Sequence, residues 1–131
     1  MEFYREEDRL GTYHLYQGNV ADIYESWPQP DLIISDGAYG VSGFPGDTVD
    51  NASIVDWYKP HVLAWSKASK PSSTLFFWNR EIGWASVHPL LEANGWEFVQ
   101  LITWDKGISH VAGNVNGNTI RQFPIVSEVA A

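Results

Sequence analysis

The sequence contains no cysteine, which excludes a disulfide framework and any zinc site built on thiolates. That absence fits a reducing cytoplasm. Cations are scarce as well: eight Lys and Arg stand against sixteen Asp and Glu, a formal net charge of −8. Phosphate contacts dominate nucleic-acid affinity and need cationic side chains. A nucleic-acid partner would therefore have to be gripped largely by something other than this chain. No run approaches the roughly 18–20 apolar residues of a membrane span. The acidic segment 1–8 lacks the basic start and apolar stretch of a secretory leader. His14, His61, His88 and His110 form no helical pairing with carboxylates that reads as a metal site, and none is expected. Gly40, Gly43 and Gly46 with Pro45 mark a loop, but without the G-x-x-x-x-G-K-[ST] spacing of a phosphate cradle. Ser35, Ser42 and Ser53 lack a G-x-S-x-G elbow, so no acyl-transfer nucleophile is indicated.

What remains is a chain of 131 residues, 44% apolar and with seven Trp, enough to bury a core as one domain over 1–131. Strand-like runs lie at 13–18, 31–35, 74–78, 96–104 and 123–129. Between them, 20–26 reads as a short helical turn. Residues 52–68 form a helix whose Val55, Tyr58, Val62 and Trp65 share one face, and 82–94 form a second that ends at Asn94-Gly95. Asn51 or Ser53 is a candidate cap of the first helix. Pro60 is expected to kink or split it, and Pro89 to disturb the middle of the second. Phe98, Leu101, Ile102 and Trp104 are core candidates of the fourth strand, and the fifth is expected to pair back on it. The alternation predicts an α/β fold with a mostly parallel sheet and an antiparallel closing strand. The tryptophans read as packing in preference to nucleic-acid platforms.

The most informative segment is Asp31-Leu32-Ile33-Ile34-Ser35-Asp36-Gly37-Ala38-Tyr39-Gly40. An apolar strand delivers Asp36 and, three positions on, Tyr39, within a turn of small residues. Such a strand end is where α/β sheets place ligand sites. A carboxylate and backbone carbonyls can accept the protons of an exocyclic amino group, while an aromatic ring stacks on a heterocycle. Taken alone, Asp36 reads equally as a turn former and Tyr39 as half-buried packing.

Order and spacing add a resemblance. The D-G-A-Y of residues 36–39 resembles the D-P-P-Y motif of bacterial S-adenosylmethionine-dependent DNA N6-adenine/N4-cytosine methyltransferases, specifically the group in which the catalytic motif precedes the cofactor motif. Tyr16-Gln17-Gly18-Asn19 resembles the family's strand near the cofactor adenosine. Residues 58–65 and 73–78 resemble the following helix and strand, 96–106 the next strand, and 121–129 the closing hairpin strand. The resemblance implies a partial Rossmann-like methyltransferase sheet, with Asp36, Gly37 and Tyr39 catalytic and Asn19, Asp22 and Asp36 facing S-adenosylmethionine. It also implies Ala38, Lys106 and Arg121 at the DNA substrate, with Asp36 favouring adenine and the adjacent Ser35 keeping cytosine open. Three departures stand out. Both prolines of the motif are replaced, by Gly37 and Ala38; the acidic residue after the first strand's Gly is Asn19; and the F-x-G-x-G cofactor loop is absent. The implied protein is thus a catalytic half that is completed by a second segment or subunit or by self-association, or that is truncated and inactive alone. The rival implication is a catalytically silent scaffold used for binding. An unrelated nucleotide-binding α/β protein is the third possibility.

Overall fold

The computed structural model describes residues 2–38, 53–104 and 122–129. Its centre is helix α1 (Ile54–Ala68). Ile54, Tyr58, Val62 and Trp65 are buried at spacings of three and four, which place them on one face. Ile54 takes the place in the core expected of Val55, which is only half-buried. Ser53 stands at the N-cap, although its hydroxyl makes no capping bond. Helix α2 (Glu81–Ala93) buries Gly83, Val87 and Leu91 and is followed by Gly95 at φ 94°, the left-handed stop expected there. Neither proline splits its helix. Pro60 and Pro89 are exposed, and so are Asp56 and Ala85, whose carbonyls each proline leaves without its helical donor. Water can satisfy those oxygens, which removes most of the usual penalty.

The main sheet has four strands: β3 (Leu32–Ser35), β4 (Thr74–Arg80), β5 (Trp96–Leu101) and β6 (Gln122–Val129). Their spatial order is β3-β4-β6-β5, with β3 parallel to β4 and β6 antiparallel to both its neighbours. Three strands therefore run one way and β6 runs against them, the mostly parallel α/β sheet with an antiparallel closing strand expected from the sequence. β6 does pair with β5 as anticipated, but it also takes the place beside β4, from Thr74↔Glu128 to Arg80↔Gln122.

Alternation along β3 and β4 turns Ile33, Leu75 and Phe77 toward the helices, where they join Tyr58, Val62, Trp65, Val87 and Leu91 in one core. The other face of β3 is open, with Leu32 49% and Ile34 64% exposed. The start of β3 is pinned by Ser73. Its buried hydroxyl donates to the Pro30 carbonyl at 2.6 Å and accepts from the Lys70 amide at 3.0 Å. The Thr74 amide donates to the Asp31 carbonyl at 3.0 Å, and Lys70 pairs with the Asp31 carboxylate. These bonds fix the register Leu32↔Thr74 to Ser35↔Phe77, and so fix where the chain leaves the sheet after Ser35.

Two expectations fail. Residues 13–18 were to open the main sheet. Instead β2 (Gly11–Tyr16) pairs antiparallel with β1 (Glu2–Asp8), a strand not foreseen, in a separate two-stranded hairpin. The turn joining Asp8 to Gly11 is short, so its closure costs little entropy and local pairing wins. Phe98 and Leu101 on β5, and Ile102 and Trp104 just beyond it, are 38–49% exposed, and Trp96 is the buried residue of the strand. β5 is an edge strand, and a bulge between Phe98 and Gln100 breaks the alternation on which those core assignments rested. Among the described residues no helix is long and apolar enough to cross a membrane.

Candidate functional site

The chain leaves β3 with Ser35 buried and Asp36 exposed, then turns through half-buried Gly37 to buried Ala38. What holds this turn is a polar knot. The Ala38 carbonyl accepts from the Tyr58 hydroxyl at 2.9 Å and from the Asn79 side-chain amide, also at 2.9 Å. Asn79 donates as well to the Tyr58 oxygen at 3.2 Å, while its own carbonyl accepts from the Arg80 amide at 2.9 Å. Tyr58 and Asn79 are fully buried. The turn after β3, helix α1 and strand β4 thus meet on a single carbonyl oxygen.

That geometry explains the first departure from the D-P-P-Y pattern. A Cβ at position 37 would lie 2.7 Å from the Tyr58 hydroxyl and 3.0–3.1 Å from the Trp57 ring. Glycine is the residue that fits, and a proline ring there would displace both aromatics. In a residue only 6% exposed, the Ala38 carbonyl takes both bonds and so anchors the turn.

Asp36 and Gly37 border a cavity of about 240 Å³ whose other walls include Trp57, Trp27, Tyr24, His61 and Trp65. The short 3₁₀ turn Val20–Asp22 adds Val20, while the aromatic wall comes from α1 and from the next such turn, Tyr24–Ser26, with Trp27 after it. A relay ties the two together: the Trp65 indole donates to the Tyr24 hydroxyl at 3.1 Å, which lies 2.7 Å from Nδ1 of His61. The Tyr24 oxygen can take a second bond beside the indole's, so the tautomer of His61 sets whether the phenol donates to Nδ1 or accepts from it. Burial lowers the His61 pKa below its ordinary 6.5. It raises that of Tyr24, an effect the Trp65 hydrogen bond partly offsets.

The sign of the stability effect follows. With the folded value depressed, the unfolded chain binds more protons as pH falls from about 6.5 toward the folded pKa. This contribution is complete above that window, is lost through it, and levels off below. The wild-type melting temperature is expected to fall between about pH 7.5 and about pH 5.5, and His61→Gln to flatten that slope. Equal slopes in the two proteins would remove His61 from the explanation.

Asn19 and Asp22, assigned to the cofactor, come together in a second cavity of about 230 Å³ with Tyr16, Gln17, Gly18 and Val20. Val20 lines both cavities, so they are neighbours. The Asn19 side-chain oxygen caps the first 3₁₀ turn, accepting from the Ala21 amide at 3.0 Å. Tyr39, Lys106 and Arg121 lie outside the described residues. One histidine–carboxylate pair at helical spacing is present: His88 and Glu92 meet at 2.7 Å. No third ligand joins it, and among the described residues no cluster of metal-binding side chains forms.

Sequence reasoning missed Asn79 and read Tyr58 only as core. A signal was available, since Asn79 continues the buried alternation of Leu75 and Phe77. A polar residue in a core position needs partners.

No protein-family model matches the sequence and no curated protein matches it. Among solved structures, the chain is similar to M1.HpyAVI in its complex with SAM, with a TM-score of 0.56 and 16% sequence identity. The match covers 85% of this chain and 50% of that one, so the chain spans about half the length of that structure. The likeness is one of fold, a partial Rossmann-like sheet.

Proposed function

We propose that this chain is the catalytic half of an S-adenosylmethionine-dependent DNA amino-methyltransferase, adenine N6 being preferred to cytosine N4, and that a completing segment or subunit supplies the cofactor loop. The observation that carries this reading is Asp36. Its carboxylate stands at the carboxyl end of β3, beside a 240 Å³ aromatic cavity, in a fold like that of a SAM-bound protein.

The adenine amino nitrogen is a weak nucleophile because its lone pair is delocalised into the ring. Asp36 accepts one amino proton in a hydrogen bond and the Gly37 carbonyl accepts the other, which favours a pyramidal nitrogen with its lone pair exposed. This is catalysis by position and electrostatics, with no covalent intermediate. Tyr39 stacks on the base rotated out of the duplex, worth about 1–3 kcal/mol. S-adenosylmethionine, when bound, supplies the methyl group on its sulfonium. The donor set suits that group: the Asn19 amide and Asp22 carboxylate share one cavity and offer donors and acceptors to a ribose or adenine, and Asp36 favours a positive charge. Lys106 and Arg121 contribute phosphate contacts. The net charge of −8 means that most of the grip on DNA comes from the completing segment. We place the protein, as one domain, in the cytoplasm, where it would serve DNA modification alongside a restriction activity.

The test is transfer of labelled methyl to mixed-sequence DNA, with and without a segment bearing F-x-G-x-G, followed by nucleoside digestion. Label in N6-methyladenine is expected, and no label under either condition would overturn the reading. A second reading is a catalytically silent scaffold for a protein partner. It is favoured by the open face of β3, where Leu32 and Ile34 are 49% and 64% exposed. It predicts partner binding without transfer.

A further inference from the structure

We infer that Tyr58 and Asn79 are positioning residues of the catalytic turn, supplying through side-chain hydrogen bonds the rigidity that two prolines would otherwise give it. The inference deepens the reading above and rests on it for its catalytic consequence. Its structural part stands independently.

The turn of residues 36–38 carries Gly and Ala where stiffness is wanted, and both leave the backbone freer than proline. A carboxylate that must hold an amino group within a few tenths of an ångström cannot hang from a free turn. Ala38 is the last described residue of that turn, and its carbonyl is gripped from two directions. Tyr58 reaches it from α1 at 2.9 Å and Asn79 from β4 at 2.9 Å, and the two grip each other at 3.2 Å. The Asn79 carbonyl is held in turn by the Arg80 amide at 2.9 Å, which fixes the amide so that its NH₂ faces Ala38. Two glycines make room for this arrangement. Gly37 admits the Tyr58 hydroxyl, and Gly83 admits the Asn79 side chain, whose oxygen would lie 1.8 Å from a Cβ there. Full burial of both side chains keeps water from competing for the Ala38 oxygen. Replacing proline by Gly37 is thus linked to Tyr58. The loss of one restraint is the space into which the other restraint is built.

The experiment is residue-resolved amide hydrogen exchange on the whole chain, comparing wild type with Tyr58→Phe and with Tyr58→Phe/Asn79→Ser. Tyr58→Phe keeps the ring and its packing on Phe77, 5.0 Å between centroids, so the fold survives. Exchange at the amides of 36–38 is expected to quicken by about fivefold, the factor an ordinary net hydrogen bond carries. It should quicken further in the double variant, while the middles of α1 and β4 are unchanged. No change at 36–38, or an equal rise throughout α1 and β4, would overturn the inference and leave the knot as ordinary core. Methyl transfer supplies the second readout: Tyr58→Phe should lower kcat with the KM for S-adenosylmethionine unmoved, and an unaltered kcat in a transferring wild type would also overturn it. A wild type that transfers no methyl, with or without the completing segment, defeats the proposed function alone. In that case the exchange data still decide the clamp.

Discussion

Asp36→Ala is expected to lower methyl transfer by at least about a hundredfold, the loss typical of deleting one preorganised electrostatic contact to a transition state. Stability should change by no more than about 1 kcal/mol, as for other exposed positions. The two expectations come apart because of where the residue sits. Ser35 is buried, Ala38 is buried and bonded by two side chains, and Asp36 between them is exposed. The turn is anchored through the Ala38 carbonyl, so removal of the Asp36 side chain leaves that anchor in place while withdrawing the carboxylate that, among the described residues, borders the aromatic cavity. Rates per folded molecule, with unfolding curves on the same samples, provide the check. A variant that unfolds, yet transfers at the wild-type rate per folded molecule, would strip Asp36 of its role.

Gly83→Ala carries the largest expected effect on stability, and its sign runs against the usual rule. In a helix interior, Gly to Ala ordinarily gains up to about 1 kcal/mol. Here the new methyl would fall 1.8 Å from the Asn79 side-chain oxygen, 2.5 Å from its Cγ and 3.1 Å from Cδ1 of Ile54. The end of a flexible side chain can often swing away, but Asn79 is fully buried and bonded to Ala38, Tyr58 and Arg80. Overpacking costs about 1–3 kcal/mol, and each displaced hydrogen bond adds about 1 kcal/mol. A net loss of roughly 3 kcal/mol is a large fraction of the 5–15 kcal/mol that holds a domain together. Urea unfolding measures it directly. A gain in stability would refute the packing described around Asn79. Asn79→Ala combined with Gly83→Ala should cost less than the two losses summed, because the small side chain at 79 leaves nothing to collide with.

The sequence was most informative where a local pattern and the tertiary demand coincide. Ile33 and its neighbours announce a buried strand, the spacing of Tyr58, Val62 and Trp65 announces α1, and Asn94-Gly95 announces the end of α2. Each element was legible because the residues that specify it lie within a few turns of one another. Legibility failed where the partner is distant or the environment decides. Residues 11–16 pair with 2–8 across a short turn, but that this hairpin stays outside the main sheet is a tertiary fact. Phe98 and Leu101 alternate like core residues, but a bulge and an edge position leave them exposed. Both prolines looked like breaks because the solvation of Asp56 and Ala85 is a tertiary fact. At the candidate site, Asp36 was legible from its position after an apolar run. The knot behind it was not, because Ala38, Tyr58 and Asn79 lie about twenty residues apart and meet only on folding.

The position of β6 bears on how the chain is made as well as how it rests. Residues 122–129 lie between β4 and β5 and, among the described residues, are the sole neighbour of β5 in the sheet. A nascent chain synthesised only as far as Leu101 can assemble β3, α1 and β4, but among the described strands β5 then has no backbone partner. It waits, tethered through α2, where Phe98 packs against Trp84 and His88. Pairing Thr74 with Glu128 closes a loop of some fifty residues, beyond the roughly forty already closed by Leu32 with Thr74, and such non-local closures are slow steps. Until it occurs, β4 and β5 each present an unsatisfied edge to the cell. The interval between synthesis and insertion of β6 is thus the period in which this protein most needs protection from chaperones.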